Sequence, residues 1–314
     1  MKVIRDHSNL EENSYLVATI GYFDGIHLGH KEIVKRMITD AKLNNGKTVL
    51  ITFWPHPRTV LQENTSVELI LSESQKINLL KKMGIDILYE IEFTKEFSKI
   101  SASSFIKEYL ENKLKINKLI IGYNHCFGHN REGNFRFLKR NKENLSFEIE
   151  EVKKKEIDKN LKISSSEIRK KITQGKMRDA GKMLGYPYHI RGKVIKGNGI
   201  GKNINFPTAN ISLKNNDKII PMDGVYAVTI NLDERNFRGM ANIGFRPTVE
   251  GKNRTIEIHI FELREDIYGL SLKINFIKHI RNEIKFDNLK ELELQLNKDK
   301  FKATKILKNE EVRN

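Results

Sequence analysis

The decapeptide GYFDGIHLGH at residues 21–30 concentrates groups that can handle phosphate. Gly21, Gly25 and Gly29 let the backbone approach a ligand closely. His27 and His30 are three residues apart and share one face of a helix. The segment follows an apolar run of strand character and opens a stretch of helical period. It is therefore expected at the carboxyl end of a strand, where unpaired N–H groups and the dipole of the following helix favour an anion. Two imidazoles at that point can donate hydrogen bonds to phosphate oxygens and stabilise charge building on a leaving pyrophosphate. Asp24, His27 and His30 could instead ligate a metal, although no further cluster of matching ligands accompanies them. A plain helix start with incidental histidines is the third reading.

Four other segments carry functional groups. Thr52-Phe53-Trp54-Pro55-His56-Pro57 follows the next predicted strand, and Gly122-Tyr123-Asn124-His125-Cys126-Phe127-Gly128 follows another. In Ile163-Ser164-Ser165-Ser166-Glu167-Ile168-Arg169, Ser164 with Glu167 makes a capping box, which explains a helix start but not Arg169. Further on, the Gly-rich stretch from Gly197 to Gly201 precedes Asn205-Phe206-Pro207-Thr208-Ala209-Asn210. Such loops beside strands can fold over phosphates through backbone N–H groups, or can be ordinary Asn/Gly turns. In Thr255-Ile256-Glu257-Ile258-His259, alternation puts Glu257 and His259 on one face and the isoleucines on the other.

The elements that must position these groups fall into two patterns. Apolar runs at 15–22, 48–53, 85–91, 118–122 and 146–152 read as strands. Between them, 28–43, 72–83, 103–114 and 164–172 have helical period. In the first of these helices Ile33, Val34, Met37, Ile38 and Ala41 form one face. Strand–helix alternation predicts a parallel sheet covered on both faces. After about Gly185, β-like runs at 188–195, 224–231, 237–243, 255–261 and 272–279 follow one another, which predicts a small antiparallel barrel closed by a helix from about 288. Gly175, Gly181, Gly185 and Pro187 suggest a linker, so the domains are expected at 1–185 and 186–314.

Composition narrows the partners. The 314 residues are 39% hydrophobic and 31% charged, enough apolar material for two cores and too much for a disordered chain. No apolar run approaches the ~20 residues that span a bilayer. The first residues lack the apolar core of a signal peptide, so a cytoplasmic protein with no membrane partner is expected. The single cysteine, Cys126, excludes an internal disulfide and a Cys-rich zinc module. Lys+Arg minus Asp+Glu is 56 − 40 = +16, which attracts anions without choosing among nucleic acid, headgroups and phosphorylated ligands. A basic nucleic-acid-binding regulator would want clustered Lys/Arg with interleaved aromatics or a recognised module. Neither is present, so no nucleic-acid partner is expected.

The segment at 21–30 resembles the HxGH signature of the nucleotidylyltransferase superfamily, and with Phe23-Asp24-Gly25 ahead of it looks like bacterial FAD synthetases. The TFWPHP, GYNHCFG and ISSSEIR segments resemble that family's TFxPHP, GxNFxFG and ISSTxIR. GKNINFPTAN resembles the GRxLGFPTAN of riboflavin kinases, with Lys202 for Arg and Asn205 for Gly. PMDGVY, NIGFRPT, DIYG and the pattern of Arg281 and Phe286 follow in family order. The resemblance, to bifunctional riboflavin kinase and FAD synthetase enzymes, covers nearly the whole chain. It implies an N-terminal Rossmann-like nucleotidylyltransferase domain with a parallel sheet and a C-terminal riboflavin-kinase β-barrel. It implies phosphorylation of riboflavin to FMN by ATP, then adenylylation of FMN to FAD with release of pyrophosphate. His27, His30 and Glu257 would be catalytic, Glu257 as base. Gly21, Phe23, Asp24, Gly25, Gly29, Asn124, Ser165, Ser166 and Arg169 would bind ATP and its phosphates in the first domain. Gly197, Gly201, Lys202, Pro207, Thr208 and Asn210 would bind ATP and flavin in the second, with Thr208 and Asn210 holding Mg²⁺. The expected partners are ATP, riboflavin and FMN. The alternatives are an enzyme with one live activity, an adenylyltransferase for another phosphorylated acceptor, and a basic nucleic-acid-binding regulator.

Overall fold

The computed structural model describes residues 1–5, 14–62, 67–153, 163–197, 201, 204–213, 218–248 and 251–311. The chain divides into two compact units, Met1–Ser165 and Ser166–Asn314. The division falls ahead of the expected 185/186 boundary.

The first unit comprises β1 (Lys2–Arg5), β2 (Leu16–Ile20), α1 (Leu28–Leu43), β3 (Lys47–Trp54), α2 (Pro57–Leu61), α3 (Glu73–Met83), β4 (Ile87–Glu92), α4 (Ala102–Phe105, continued by a wider turn Ile106–Lys113), β5 (Lys118–Gly122), α5 (Phe135–Arg140) and β6 (Glu148–Val152). All six strands are parallel, in the order β1-β4-β3-β2-β5-β6. Every residue of β2 is buried, as a strand covered on both faces requires. From β2 the chain moves to β3 and β4 on one side, then returns to β5 and β6 on the other. The carboxyl ends of β2 and β5 therefore flank the switch point, the place where such sheets bind ligands. Helix α1 buries Ile33, Val34, Met37 and Ala41 as the periodicity predicts. It also carries a buried Asp40, which accepts from Lys118 Nζ on β5 at 2.5 Å. Lys118 reaches Glu150 on β6 at 3.1 Å, so one charge cluster ties the helix to both strands.

Helix α6 (Ser165–Thr173) begins on the last residue of the first unit and otherwise belongs to the second, where it and α7 (Met177–Leu184) precede the strands β7 (His189–Ile195), β8 (Ala209–Ser212), β9 (Gly224–Leu232), β10 (Arg235–Thr248), β11 (Gly251–Ile260) and β12 (Ser271–Arg281), with α8 (Leu289–Glu311) following. The strands close as an antiparallel barrel, β10-β11-β8-β7-β12-β9. The stretch expected as a linker is helical. Gly175 and Gly185 sit at φ 68° and 72°, so the glycines end helices rather than loosen the chain. Helix α8 lies on the barrel through Ala303 and Leu307, which pack with Ile204, Phe206, Val225, Ala227, Met240 and Phe261. Asp299, fully buried on α8, holds Arg281 of β12 at 2.7 Å.

Candidate active sites

The loop from β2 to α1 coils through left-handed backbone at Phe23 (φ 56°), Gly25 (82°) and Ile26 (36°). Phe23 and Ile26 are buried, so packing offsets this strain. His27 caps α1: its Nδ1 accepts from the backbone N–H of His30 at 3.3 Å. The ring proton of neutral His27 is thereby placed on Nε2. A Cβ on Gly29 would stand 3.1 Å from the His27 ring, so a larger residue there would press that imidazole aside by a few tenths of an ångström. The His27 and His30 rings stack at 3.6 Å and 13°, and Phe23 lies 4.5 Å from His30. Burial lowers His27 from 6.5 to about 4. Burial, then the neighbouring His27 and His125, lower His30 as well. Burial, then Arg131, lowers His125 to about 4. The three imidazoles are neutral hydrogen-bonding groups at pH 7, not cations.

Asp24 is 4% exposed, and its carboxylate is committed to the main chain. The N–H of Ile70 donates to both oxygens (3.1 and 3.0 Å) and that of Leu71 to Oδ1 (3.1 Å). The carbonyl of Asp24 accepts from Ser165 Oγ at 2.9 Å. This geometry gives Asp24 an architectural job, joining the loop after β2 to residues 70–71 and to Ser165. Among the described residues no group of three or more His, Cys, Asp or Glu is arranged to hold a metal, Asp24, His27 and His30 included. Asn124 is exposed after β5, in a turn closed by His125 N–H to Gly122 O at 2.9 Å. Ser166 and Arg169 stand in the first turns of α6, within the second unit.

One residue of this region escaped the sequence reading. Lys76 on α3 is 3% exposed, its Nζ 3.4 Å from Thr52 Oγ1 and 4.5 Å above the Tyr22 ring. Burial lowers its pKa, with Glu90, Glu73 and Asp24 acting in opposition. Its signal was a lysine four residues before Leu80 on the buried face of α3.

In the barrel, register sets the second constellation. Glu257 on β11 pairs with Asn210 of β8 on one side and Asn242 of β10 on the other. Thr208 Oγ1 donates to Glu257 Oε2 at 3.3 Å, and Asn242 Nδ2 to Glu283 Oε1 at 3.3 Å. Neither Asn242 nor Glu283 was singled out as a site residue. A Cβ on Gly197 would fall 2.0 Å from Asn210 Nδ2, and one on Gly201 would fall 2.1 Å from the Phe206 carbonyl. Backbone approach requires the glycine at 201, whereas a side chain at 197 would displace the Asn210 side chain. Asn205 holds φ 57°, a left-handed conformation that asparagine tolerates better than most residues, so it can replace glycine there. Pro207 and Thr208 are exposed, and Lys202 lies outside the described residues. The hydroxyl of Thr208, the amide oxygen of Asn210 and the Glu257 carboxylate are hard oxygen donors. They fit a Mg²⁺ ion shared with substrate phosphates better than a cage made by protein alone.

The chain is of the class that joins a parallel-sheet α/β unit to a closed antiparallel β-barrel unit. The FAD synthetase family model matches residues 9–167, and the riboflavin kinase model matches 184–307. The chain is 39% identical over 304 residues to a bifunctional riboflavin kinase/FMN adenylyltransferase of Buchnera aphidicola subsp. Schizaphis graminum, covering 95% of this chain and 96% of that one. A protein of the same name from Bacillus subtilis is 35% identical over 307 residues, covering 96% of each. A solved structure described as a macrolide-efflux protein from Streptococcus pneumoniae superposes with a TM-score of 0.88 at 31% identity, covering 96% of this chain and 98% of that one. The chain belongs to the bifunctional riboflavin kinase/FMN adenylyltransferase family.

Proposed function

We propose that the two units carry out successive steps on one flavin, with the roles assigned below. The chain is an ATP:riboflavin 5′-phosphotransferase and an ATP:FMN adenylyltransferase, as both family models and the curated relatives indicate. Efflux, the word attached to the S. pneumoniae structure, is not adopted, because both matching models name flavin enzymes. Among the described residues no helix is long and apolar enough to cross a membrane. A cytoplasmic site of action and small-molecule partners alone belong to the same proposal.

In the first unit the nucleophile is the FMN phosphate, ionised at neutral pH, so no base is required. The work left to the protein is positioning and charge stabilisation. His27 and His30 donate N–H bonds to phosphate oxygens at the start of α1, where the helix dipole adds positive potential. Asn124 marks the other side of the switch point, after β5. In the barrel the ribityl hydroxyl is a weak acid and needs a base in the transition state. Glu257 accepts from the Thr208 hydroxyl and so presents an acceptor oxygen in the site. Thr208 and Asn210 would hold Mg²⁺ together with ATP phosphates; when bound, the ion offsets phosphate charge.

The observation that carries the reading is the coexistence in one chain of the stacked His27–His30 pair at a helix start and the Thr208–Glu257 bond in a closed barrel. The test follows flavins by chromatography after incubation with ATP and Mg²⁺. His27→Ala and His30→Ala abolish FAD formation and spare FMN formation. Glu257→Gln lowers riboflavin phosphorylation by roughly 10²–10⁴-fold and spares FAD formation from FMN. Loss of both reactions in one variant, or normal phosphorylation by Glu257→Gln, refutes the assignment.

A further inference from the structure

Thr208 is held from two directions by one strand. Glu257 and His259 stand two residues apart on β11, on the same face. Glu257 takes the Thr208 hydroxyl proton donor at 3.3 Å. His259 reaches the peptide in front of Thr208: its Nδ1 lies 2.9 Å from the Pro207 carbonyl oxygen. A carbonyl only accepts, so Nδ1 carries the proton. The Pro207 carbonyl and the Thr208 N–H belong to one planar unit. Fixing the oxygen therefore fixes the direction of the Thr208 N–H and the angle at which the chain enters β8.

The ring's surroundings show why this bond is the use made of His259. It is 6% exposed, with Phe206 at 5.0 Å and Phe261 at 5.6 Å between ring centroids. Lys300 of α8 lies over the same two aromatic rings, at 5.9 and 5.6 Å. Nε2 is sealed from solvent and has no hydrogen-bond partner among the described residues. Burial lowers the pKa, the Pro207 bond works against that, and Lys300 adds to the lowering. The ring is thus neutral, with a single proton, and that proton is engaged by Pro207. Packing between Phe206 and Phe261 would be served as well by a third apolar ring, without a stranded nitrogen. The same segment is anchored at Ile204 and Phe206, which are buried against α8, while Pro207 and Thr208 stay exposed. Between the buried anchor and the exposed Thr208, the Pro207 carbonyl is the point at which His259 ties the chain.

We infer that His259 is a positioning residue of the kinase site, its Nδ1–H locking the Pro207–Thr208 peptide so that Thr208 presents its hydroxyl and N–H to ATP phosphate. This rests on the kinase reading of the barrel. It differs from a packing role in depending on a donor at one ring position.

The experiment uses the full chain and compares wild type with His259→Asn, His259→Gln and His259→Phe. The asparagine amide nitrogen can occupy the Nδ1 position, the glutamine amide reaches the Nε2 position instead, and phenylalanine fills the volume without a donor. Riboflavin phosphorylation is measured against ATP concentration, and FAD formation from FMN serves as control. His259→Phe and His259→Gln raise KM for ATP roughly tenfold, the change made by losing one hydrogen bond of ordinary net strength. Their kcat falls less. His259→Asn stays within about threefold of wild type, and all variants keep FAD formation. Wild-type KM in His259→Phe overturns the inference, as does equal impairment of His259→Asn and His259→Gln. Should the phenylalanine variant fail to fold, the asparagine–glutamine pair decides alone. A wild type that leaves riboflavin unphosphorylated overturns the kinase reading and this inference with it.

Discussion

Removing the Asp24 carboxylate tests whether the loop before α1 is held by structure or by substrate. Asp24→Ala strands two buried backbone N–H groups, those of Ile70 and Leu71. Each such group costs about 1–3 kcal/mol when left without an acceptor. The two together make a loss of about 4 kcal/mol. For a unit of this size (Met1–Ser165) that corresponds to a fall in melting temperature of roughly 8–16 °C. Asp24→Asn keeps one acceptor oxygen but turns an NH₂ group toward the Ile70 N–H, and loses about half as much. The readout is specific, because the chain has a single tryptophan, Trp54, and it lies on β3 of this unit. Tryptophan fluorescence during urea or thermal unfolding therefore reports this unit, while riboflavin phosphorylation reports the barrel. The expected result is a lowered fluorescence midpoint with phosphorylation retained. An unchanged midpoint with a raised KM for ATP in FAD formation would refute the reasoning and return Asp24 to the phosphates.

Two further outcomes follow from the geometry. His27 stays neutral in the folded chain down to about pH 4, whereas an unfolded histidine takes its proton near 6.5. The unfolded state binds more protons between these values, so the contribution is complete above pH 6.5 and is lost as pH falls toward 4. At about 1.4 kcal/mol per pH unit this amounts to about 3 kcal/mol from a residue that is 7% exposed. Equal Trp54 unfolding midpoints at pH 7.5 and 5 would contradict it. In the barrel, Asn205→Gly is expected to be silent, whereas Asn205→Val forces a β-branched residue to φ 57° and costs about 1–2 kcal/mol of barrel stability. Thermal unfolding of the two variants side by side checks this, and indistinguishable midpoints would remove the conformational account of the substitution.

Much of this architecture was legible because its signals are local. The five runs read as strands in the first half are β2 to β6; β2, β3 and β5 stand out because a strand covered on both faces must be apolar without interruption, whereas the edge strand β6, EIEEV, is partly exposed and carries three glutamates. The edge strand β1 was missed: four residues, KVIR, bury only Ile4, and its place is decided by pairing with β4 far along the chain. Strand β8, Ala209–Ser212, is hidden in the sequence because it starts on the last two residues of the NFPTAN segment, whose proline and asparagines read as a turn. The glycines around helix α7 read as breakers of a linker, but Gly175 and Gly185 sit at helix ends in left-handed geometry and Gly181 lies within the helix. The histidine pair and the Glu257 strand could be located from spacing alone. The commitment of Asp24 to Ile70 and Leu71 could not, because its partners lie 46 and 47 residues away. Lys76 and the Asn242–Glu283 bond are likewise products of long-range packing.

The electrostatics of the two sites differ from what the net charge of +16 suggests. Of the groups expected at phosphate, Arg169 and Lys202 are basic, whereas His27, His30, Thr208 and Asn210 are neutral donors or oxygen ligands, and burial is what keeps the imidazoles uncharged. A fixed cation at these positions would bind the ground-state triphosphate as firmly as the transition state, which lowers KM without raising kcat. A neutral N–H held in place by stacking and by the His27–His30 capping bond behaves differently. Its hydrogen bond strengthens as negative charge gathers on the departing pyrophosphate, and the group needs no reorganisation when that happens. The surrounding lysines can supply attraction at a distance, which governs encounter. The neutral donors at contact distance favour the state in which charge has moved.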